Sequence, residues 1–505
     1  MSTAHAAATG GKGSDPPIST FAGTGEAGFS GDEGLAVSAR SNHPYGVAVD
    51  STGALYFSEY SNHRVRKVTV DGKISTFAGT GEADFGGDDG PAPSARLNYP
   101  RGVAVDSAGT VYIADAGNHR VRKVTADGKI STFAGTGTAG SGGDGGPATA
   151  AELDRPYGVA VDSTGTVYIA DHNNHRIRKV TADGKISTFA GTGEAGSEGD
   201  GAAAKSAQLN GPHAVAVDSA GVVYIADTGN HRVRKVAADG EISTVAGTGE
   251  ADFGGDGGAA ESARLNHPAA VAVDSAGCLY ICDQYNHRVR KVAADGEIST
   301  VAGTGEADFG GDDGPASSAR LNNPLGLALD GIDALYIADH INNRIRKIAS
   351  PRLPQSGTVV CWANARSRLR MAVARESTKD GAEIHQTLPV SRGHQRWRLV
   401  VVGQDGGEPL YRIENVRSGK ALEVVGGQEW AGAVVAQRAY EGDDARHQQW
   451  RLIPVGSATD APHLYEIANR NSGLLLQADT NARTAIRQDG AEGDHQGRQW
   501  QLLPV

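Results

Sequence analysis

A short run of residues recurs six times along this chain at a constant spacing. Each copy reads ISTFAG or ISTVAG, and consecutive copies begin 56 residues apart. Repeats of about this length are typical of propellers and solenoids, in which each unit buries its apolar face against the next. In a chain of 505 residues the pattern predicts a repeat array followed by a further domain. The six copies begin at Ile18, Ile74, Ile130, Ile186, Ile242 and Ile298.

Within one period, four short runs have the composition of β-strands. Between residues 74 and 129 they read ISTFAG, GVAVD, TVYIAD and HRVRKV. Gly, Asp and Asn residues separate them, and the 70 glycines of the chain supply many such turns. Four strands in each of six units predict an all-β, six-bladed β-propeller.

The run GVAVD has one small face. Alternation places Gly102 and Ala104 on one side of the strand and Val103 and Val105 on the other. Strands near the axis of a propeller are crowded, so we expect this run to be the innermost strand of each blade.

The two ends of the array each lack what the other has. The last unit stops after NRIRKI without a fourth strand, and the first ISTFAG has no three strands before it. We therefore expect residues 18–23 to pair with the strand of residues 343–348 and close the ring. The predicted organisation is a flexible N-terminal tail (1–17), the propeller (18–349), a short linker (350–357) and a second domain (358–505).

The units resemble NHL repeats. The matching elements PxGVAVD, VYIAD and NHRVRKV, joined by the loop AGTG…GGDDGPA…ARLNxP, recur in order over residues 18–349. The resemblance implies a propeller. NHL propellers serve as platforms that bind proteins or RNA, and related propellers include a few lyases and hydrolases. The net charge of −11 argues against a nucleic-acid partner, because such partners usually face a basic surface.

A histidine opens the run HRVRKV in five of the six units. We expect this strand to be third from the axis, which holds the imidazoles too far apart to share one metal ion. Asn343 replaces the histidine in the sixth unit, which predicts a hydrogen-bonding role. We expect the arginines and lysines of this run to contact the acidic loops of the next blade. The histidines are His63, His119, His175, His231 and His287.

Function is expected where the units differ, and two sets of positions vary on one face of the propeller. The residue after the loop proline is Tyr45, Arg101, Tyr157, His213, Ala269 and Leu325 in turn. The residue after the second-strand acid is Tyr60, Ala116, His172, Thr228, Gln284 and His340, and Tyr285 follows Gln284. These side chains predict a pocket for a protein or a small ligand, whereas the alternative is neutral variation of exposed loops. The candidate residues are Tyr45, Arg101, Tyr157, His172, His213, Tyr285 and His340.

No motif identifies a catalytic residue or fixes a metal site. The long loops carry clustered acids, such as Asp88 and Asp89, but their spacing does not match a calcium-binding loop. We therefore expect no cofactor, with calcium as a lesser alternative. An enzymatic alternative is a propeller-based lyase or hydrolase, metal-assisted, that uses His172, His213 or His340 as a base.

Three related segments mark the second domain. They read HQRWRLV, HQQWRLI and GRQWQLL and end three units of about 50 residues. Units of this kind resemble the ricin-type lectin β-trefoil, and the resemblance covers roughly residues 356–505. It implies that Trp397, Trp450 and Trp500 are core residues of the three lobes, with Gln395 and Gln448 bonded to backbone beside them.

The same resemblance implies a sugar site in the middle lobe. Glu423 takes the acid position and His447 precedes Gln448, whereas Arg438 stands where an aromatic residue is usual. Tyr440 or Trp430 would then stack on the sugar. The other lobes have Ala372 and Gln477 at the acid position, and Arg498 replaces the motif glutamine of the third. The alternative is a degenerate trefoil used for protein contact.

These observations favour a non-enzymatic recognition protein with glycan or polysaccharide partners, and with protein as a further partner. No run approaches 18 consecutive apolar residues, so no membrane span is expected. The N-terminus lacks a secretory pattern, which favours the cytoplasm, whereas a lectin-like domain favours an extracellular location. Cys278 and Cys282 lie too far apart on one strand to be bridged, so we expect small buried side chains.

Overall fold

The computed structural model is all-β: every regular element in the described residues is a β-strand or a single 3₁₀ turn. None of the helical segments in this part of the chain is long and apolar enough to span a bilayer. The described residues are 15–69, 72–274, 276–331, 333–348, 358–364, 367, 369–389, 393–405, 408–429, 431, 433–442, 444–454, 464–472, 474–478, 486–489 and 499–504.

Residues 18–348 form the six antiparallel blades of a propeller, and each blade is built from four successive strands or their equivalent. Two blades gain a short fifth strand, β14 or β19, beside the outermost one. The strands are β1 (Ile18–Ala22), β2 (Pro44–Val49), β3 (Leu55–Glu59), β4 (Arg64–Val68), β5 (Ile74–Ala78), β6 (Pro100–Val105), β7 (Val111–Asp115), β8 (Arg120–Val124), β9 (Ile130–Ala134), β10 (Pro156–Val161), β11 (Val167–Asp171), β12 (Arg176–Val180), β13 (Ile186–Ala190), β14 (Ala202–Ala203), β15 (Ala214–Val217), β16 (Val223–Asp227), β17 (Arg232–Val236), β18 (Glu241–Ala246), β19 (Gly258–Ala259), β20 (Pro268–Val273), β21 (Leu279–Asp283), β22 (Arg288–Val292), β23 (Glu297–Ala302), β24 (Pro324–Leu329), β25 (Leu335–Asp339) and β26 (Arg344–Ile348).

The GVAVD run is the innermost strand of the blade, as predicted. A Cβ atom added to Gly102 in β6 would lie 2.6 Å from the carbonyl oxygen of Tyr157 in the next blade. No side chain fits that gap, because real Cβ atoms do not approach backbone oxygens so closely. The small face of this strand therefore lets the inner strands of neighbouring blades meet around the axis.

The ring closes between the two ends of the array. Strand β1 pairs antiparallel with β26, and Ile18 lies opposite Ile348. This confirms the predicted closure. Residues 1–14 of the predicted tail and all of the predicted linker, 350–357, lie outside the described residues, whereas Pro17 already forms a β-bridge with Pro315 of the last blade.

Each blade contains a buried arginine between two acids. In the third blade, Arg178 is fully buried and lies 3.4 Å from Asp171 at the end of β11 and 2.6 Å from Asp144. The expectation that this strand contacts the loop of the next blade is therefore wrong for Arg178, whereas Arg176 of the same strand does donate to the carbonyl oxygen of Thr192 in the loop that leads to the next blade. Asp144 belongs to the loop that leads into the arginine's own blade, because this loop crosses that blade and bonds to its outermost strand at Ile186. The equivalent arginines are Arg66, Arg122, Arg178, Arg234, Arg290 and Arg346.

The repeated histidine links neighbouring blades. His175 lies in a left-handed turn (φ 52°) just before β12, and its Nδ1 accepts a hydrogen bond of 3.0 Å from the backbone N–H of Gly211. In the last blade, Asn343 Oδ1 accepts the equivalent bond from the N–H of His43 at 2.9 Å. The predicted hydrogen-bonding role is confirmed, although the residue stands in the turn rather than on the strand.

The C-terminal strands form a closed barrel, since β27 pairs with both β30 and β38 and the series of pairings through β31, β34 and β35 returns to β38. The strands are β27 (Val359–Asn364), β28 (Arg370–Val373), β29 (Ala382–Thr387), β30 (Trp397–Asp405), β31 (Glu408–Asn415), β32 (Ala421–Val424), β33 (Val435–Arg438), β34 (Trp450–Pro454), β35 (Leu464–Asn469), β36 (Leu475–Gln477), β37 (Arg487–Asp489) and β38 (Gln499–Pro504).

The core of this barrel contains the tryptophans predicted to lie there. Trp397, Trp450 and Trp500 are fully buried, and each indole N–H donates to a backbone carbonyl oxygen at 3.0 to 3.1 Å. Gln395 and Gln448 also donate to backbone carbonyl oxygens, as predicted. Arg498 lies outside the described residues. In the propeller, Cys278 and Cys282 are buried, as predicted.

Candidate functional site

All seven propeller residues singled out from the sequence line one cavity of about 380 Å³. The cavity, called the funnel below, lies where the inner strands begin, and a narrower space continues between these strands. The full lining is Tyr45, Tyr60, Arg101, Tyr157, His172, His213, Thr228, His267, Gln284, Tyr285, Leu325 and His340.

The local sequence explains why these side chains reach the funnel. The inner strand starts at the loop proline, and its pairing is irregular over the next residues, for example between Pro44 and Val47. The residue after the proline therefore stands at the mouth of the ring. The second contributor, such as His172, lies in the 3₁₀ turn that follows the second strand of the blade.

A directional chain of hydrogen bonds crosses the funnel. The Nδ1 atom of His213 lies 2.8 Å from the carbonyl oxygen of Ala269, which can only accept, so Nδ1 carries the proton and Nε2 is an acceptor. The Tyr45 hydroxyl, 2.5 Å away, donates to this Nε2, and Arg101 Nη1 donates to the hydroxyl oxygen. Residues of four blades thus hold Tyr45 and Arg101 in fixed positions.

The guanidinium of Arg101 is packed between aromatic rings. Its central carbon lies 3.6 Å from the ring centroid of Tyr157, 4.7 Å from that of Tyr45 and 4.9 Å from that of Tyr60. Cation–π contacts of this kind favour arginine over neutral residues. Burial lowers the pKa of Arg101, but the hydroxyls of Tyr45, Tyr157 and Tyr60 raise it by more, so the side chain stays charged.

The other histidines of the funnel are neutral and held in place. Nδ1 of His172 contacts the carbonyl oxygen of Pro212 at 3.2 Å, and Nδ1 of His340 contacts that of Pro44 at 3.0 Å. Burial lowers the pKa of each imidazole to about 4. His172 also stacks on Tyr157, with ring centroids 3.9 Å apart.

Acids are absent from the lining of the funnel. Of the loop acids considered for calcium, Asp88 is ion-paired, 2.5 Å from Arg122, and Asp84 in the same loop lies 2.8 Å from Arg96. Over the described residues, no group of three or more His, Cys, Asp or Glu side chains is suited to hold a metal ion.

Sequence reasoning missed His267 as a funnel residue and did not select Tyr60, Thr228, Gln284 or Leu325. His267 precedes the loop proline of the fifth blade and has a left-handed backbone (φ 54°). A signal existed, because the residue before this proline also varies from blade to blade: His43, Tyr99, Arg155, Gly211, His267 and Asn323.

The residues proposed for sugar binding in the C-terminal domain lie together, around Glu423. This carboxylate is 1% exposed, and Arg438 Nε donates to its Oε1 at 2.8 Å. Gln448 Nε2 donates to Oε2 at 3.4 Å, and His447 Nε2 lies 3.6 Å from the same oxygen. The acid is therefore occupied by neighbouring side chains and covered by Arg438.

Of the two aromatic residues expected to stack on a sugar, the structure describes only Tyr440. Tyr440 is half-buried, and the guanidinium carbon of Arg412 lies 4.3 Å from its ring centroid. Trp430 lies outside the described residues.

In the first lobe the position of Arg438 is taken by Thr387. Each follows a glutamine that bonds the serine of its own lobe: Gln386 with Ser367, and Gln437 with Ser418. At this position the middle lobe thus differs from the first lobe, with Arg438 in place of a threonine.

Curated relatives match about 60% of the chain. The Arabidopsis thaliana protein SUPPRESSOR OF QUENCHING 1, chloroplastic, is 30% identical over 321 residues, which cover 60% of this chain and 30% of the relative. Human NHL repeat-containing protein 2 is 28% identical over 337 residues, which cover 60% of this chain and 46% of the relative. The chain therefore spans less than half the length of these relatives.

A solved structure shares the fold. It is a structural genomics protein of unknown function from Bacteroides thetaiotaomicron, 22% identical, with a TM-score of 0.50 over 66% of this chain and 75% of that one.

Family models match both parts of the chain. The NHL repeat model matches residues 97–124 and 209–236, and the teneurin NHL domain model matches 137–198 and 248–310. The model for a ricin-type beta-trefoil lectin domain-like family matches 352–438 and 394–491. The chain therefore combines a six-bladed propeller that contains NHL repeats with a C-terminal part that matches the ricin-type lectin-like family.

Proposed function

We propose that this chain is a recognition protein whose propeller binds a small ligand in the funnel. The observation that carries the proposal is the convergence of tyrosine, histidine and arginine side chains from all six blades on one cavity of about 380 Å³. Cavities of this size, with apolar ring surfaces and a few fixed polar groups, are typical of small-molecule sites. His172, His213 and His340 are anchored on backbone carbonyls, so the site is organised before a ligand arrives.

The histidines support binding better than base catalysis. A general base works best when its pKa is near the working pH, whereas burial lowers the pKa of His172 and His340 to about 4. Each Nδ1 is already used on a carbonyl oxygen. The imidazoles are thus suited to accept hydrogen bonds from a ligand through Nε2.

The test is ligand-observed NMR on the full-length protein with a diverse library of charged and neutral small molecules. We expect saturation transfer to several compounds, and loss of transfer in Tyr157→Ala, which removes the ring beneath Arg101. Arg155→Met is the matched control, because Arg155 is exposed on the same face and lies outside the lining. The proposal fails if no compound binds, or if Tyr157→Ala retains every binder.

For the C-terminal domain we propose carbohydrate binding in the middle lobe, supported by the cluster of Glu423, Arg438, His447 and Gln448. The cluster offers the donors and acceptors that sugar hydroxyls require. A hydroxyl must reach Glu423 past Arg438, whose side chain is 41% exposed and covers the carboxylate. Tyr440 provides the nearest described ring.

This second proposal is tested on a panel of immobilised glycans and insoluble polysaccharides with the full-length protein. We expect binding that is lost in Glu423→Gln, retained in the exposed control Glu429→Gln, and altered in Arg438→Thr, which restores the first-lobe residue. Retained affinity in Glu423→Gln would refute a site at this carboxylate.

A further inference from the structure

Arg101 is the one residue of the funnel lining with a formal charge at neutral pH, because the lining contains no acid and its histidines are neutral. Within the part of the chain that the structure describes, Arg101 makes one side-chain hydrogen bond, to the Tyr45 hydroxyl, and no ion pair. The funnel is therefore a positively charged cavity.

This arginine differs from the buried arginines of the blades. Arg178, for example, has carboxylates on two sides, at 2.6 and 3.4 Å. A guanidinium removed from water without an anion is costly, and proteins normally pair it. Arg101 stands in the funnel with tyrosine rings in place of that anion.

Most of the hydrogen-bond donors of Arg101 have no partner among the described residues, so they can bind an anion. The guanidinium lies over three tyrosine rings, whose centroids are 3.6 to 4.9 Å from its central carbon. Its hydrogen-bond donors lie in the plane, and only Nη1 is used. Guanidinium groups bind planar oxyanions edge to edge through two parallel N–H donors.

The remaining lining favours an aromatic group on the anion. Tyr60, Tyr285 and His267 contribute rings, and the Tyr285 side chain is among the exposed large apolar groups of the chain at 47%. Ring faces bind other rings in offset or edge-on arrangements. His340, with Nδ1 on the carbonyl of Pro44, offers Nε2 as an acceptor for a hydroxyl.

We infer that the funnel binds a small aromatic carboxylate, with the carboxylate in the plane of Arg101, the ring against the funnel tyrosines and a hydroxyl on His340. This inference rests on the proposed function of the propeller. It adds the charge and the chemical class of the ligand.

The test compares four probes by isothermal titration calorimetry on the full-length protein: 4-hydroxybenzoate, its neutral match 4-hydroxybenzamide, phenyl phosphate and inorganic phosphate. We expect 4-hydroxybenzoate to bind at least about tenfold more tightly than the amide, the usual effect of one charge-assisted pair. Arg101→Met should remove this preference, Arg101→Lys should weaken it, and Arg155→Met should preserve it. Circular dichroism establishes that each variant is folded.

Equal affinity for the acid and the amide, a preference that survives in Arg101→Met, or no binding of 4-hydroxybenzoate would overturn the inference. Tighter binding of phenyl phosphate would overturn the carboxylate assignment in favour of a phosphate ester, and binding of inorganic phosphate alone would remove the aromatic group. The proposed function is judged separately: neutral library compounds that need Tyr157 would leave it standing even if every anion fails.

Discussion

The same residue types have opposite environments in two regions of the propeller. Between the strands of each blade, the buried arginine is the same in all six units and lies between two acids. In the funnel, the position after the loop proline holds a different side chain in most blades, and its arginine lies among tyrosines. Repetition thus marks architecture in this molecule, and departure from repetition marks the proposed ligand site. Residue type alone would not have separated the two.

The largest effect on stability is expected from removal of β1, the strand that closes the ring. Deletion of residues 1–23 should abolish cooperative unfolding of the propeller or cause aggregation, because β26 is left with an unpaired edge. Far-UV circular dichroism during urea unfolding measures this.

An internal control comes from the tryptophans, all five of which lie in the C-terminal domain. Tryptophan fluorescence should therefore report an unchanged transition in the truncated protein. A truncated propeller that melts as the full chain does would contradict the closure argument.

The next largest loss of stability is expected when one buried arginine is replaced. Arg178→Met should lower the free energy of unfolding by about 3 to 5 kcal/mol, because Asp171 is left buried without its partner. Urea unfolding followed by circular dichroism gives the value. Arg155→Met, at an exposed position, should change stability by less than about 0.5 kcal/mol; similar losses in both variants would contradict the distinction.

The two regions should also respond to pH with opposite signs. Burial lowers the pKa of His172 to about 4, so between pH 6.5 and 4 the unfolded chain binds more protons, and this residue's contribution to stability falls as the pH falls. Burial raises the pKa of the neighbouring Asp171 to about 6, so from pH 6 to 3.8 the folded chain binds more protons, and stability rises as the pH falls.

We therefore expect the free energy of unfolding to fall less between pH 7 and pH 4 in His172→Gln than in the unmodified protein. The expected difference is about 2 kcal/mol, a value lowered to allow for screening by solvent in the cavity. In Asp171→Asn the free energy of unfolding should fall more over the same pH range, because the stabilising protonation of Asp171 is removed. Unfolding free energies at pH 7, 5.5 and 4 decide the matter, and a change of the same sign in both variants would contradict it.

The histidine that links the blades provides a smaller test. His175→Ala should cost about 1 to 2 kcal/mol, because the N–H of Gly211 loses its acceptor and alanine is strained at a positive φ. His175→Asn should cost less than about 0.5 kcal/mol, since Asn343 already serves this position in the sixth blade. Thermal unfolding of the two variants compares them, and equal losses would show that the hydrogen bond is not the cause.

The smallest effect on stability is expected at the rim of the funnel. Tyr285→Ala should change the free energy of unfolding by less than about 0.5 kcal/mol, because nearly half of the side chain is already exposed. The same variant should weaken binding of 4-hydroxybenzoate severalfold. A large loss of stability with unchanged binding would show that Tyr285 has a structural role and does not bind the ligand.

The propeller was predictable from the sequence because one 56-residue unit carries all of its local signals. The hydrophobic runs, the turn residues and the missing fourth strand of the last unit gave the strands, the inner position of GVAVD and the pairing of Ile18 with Ile348. In the C-terminal domain, three copies of one motif likewise predicted the buried Trp397, Trp450 and Trp500.

The partners of side chains were less predictable. The contact of Arg178 with Asp144 depends on how the loop of residues 135–155 crosses the blade that it leads into, and strand patterns say nothing of that path. His267 was missed because the residue before the loop proline has the same left-handed backbone in every blade, and only in the fifth blade does its side chain line the funnel. The cover that Arg438 places over Glu423 is likewise a side-chain arrangement that sequence spacing does not record.

The pairing of β1 with β26 has a consequence for how the chain folds. Strands β5, β9 and β13 carry the same sequence as β1, ISTFA, so β1 has several acceptable partners besides β26. Loop-closure entropy favours the copy that is nearest along the chain, so each inner copy outcompetes β1 for its own blade. The place beside β26 is the one left, and it is filled only when a contact spanning most of the repeat array forms. Completion of the ring should therefore be the slow, high-contact-order step of folding, and refolding rates should depend on it more than on any single blade.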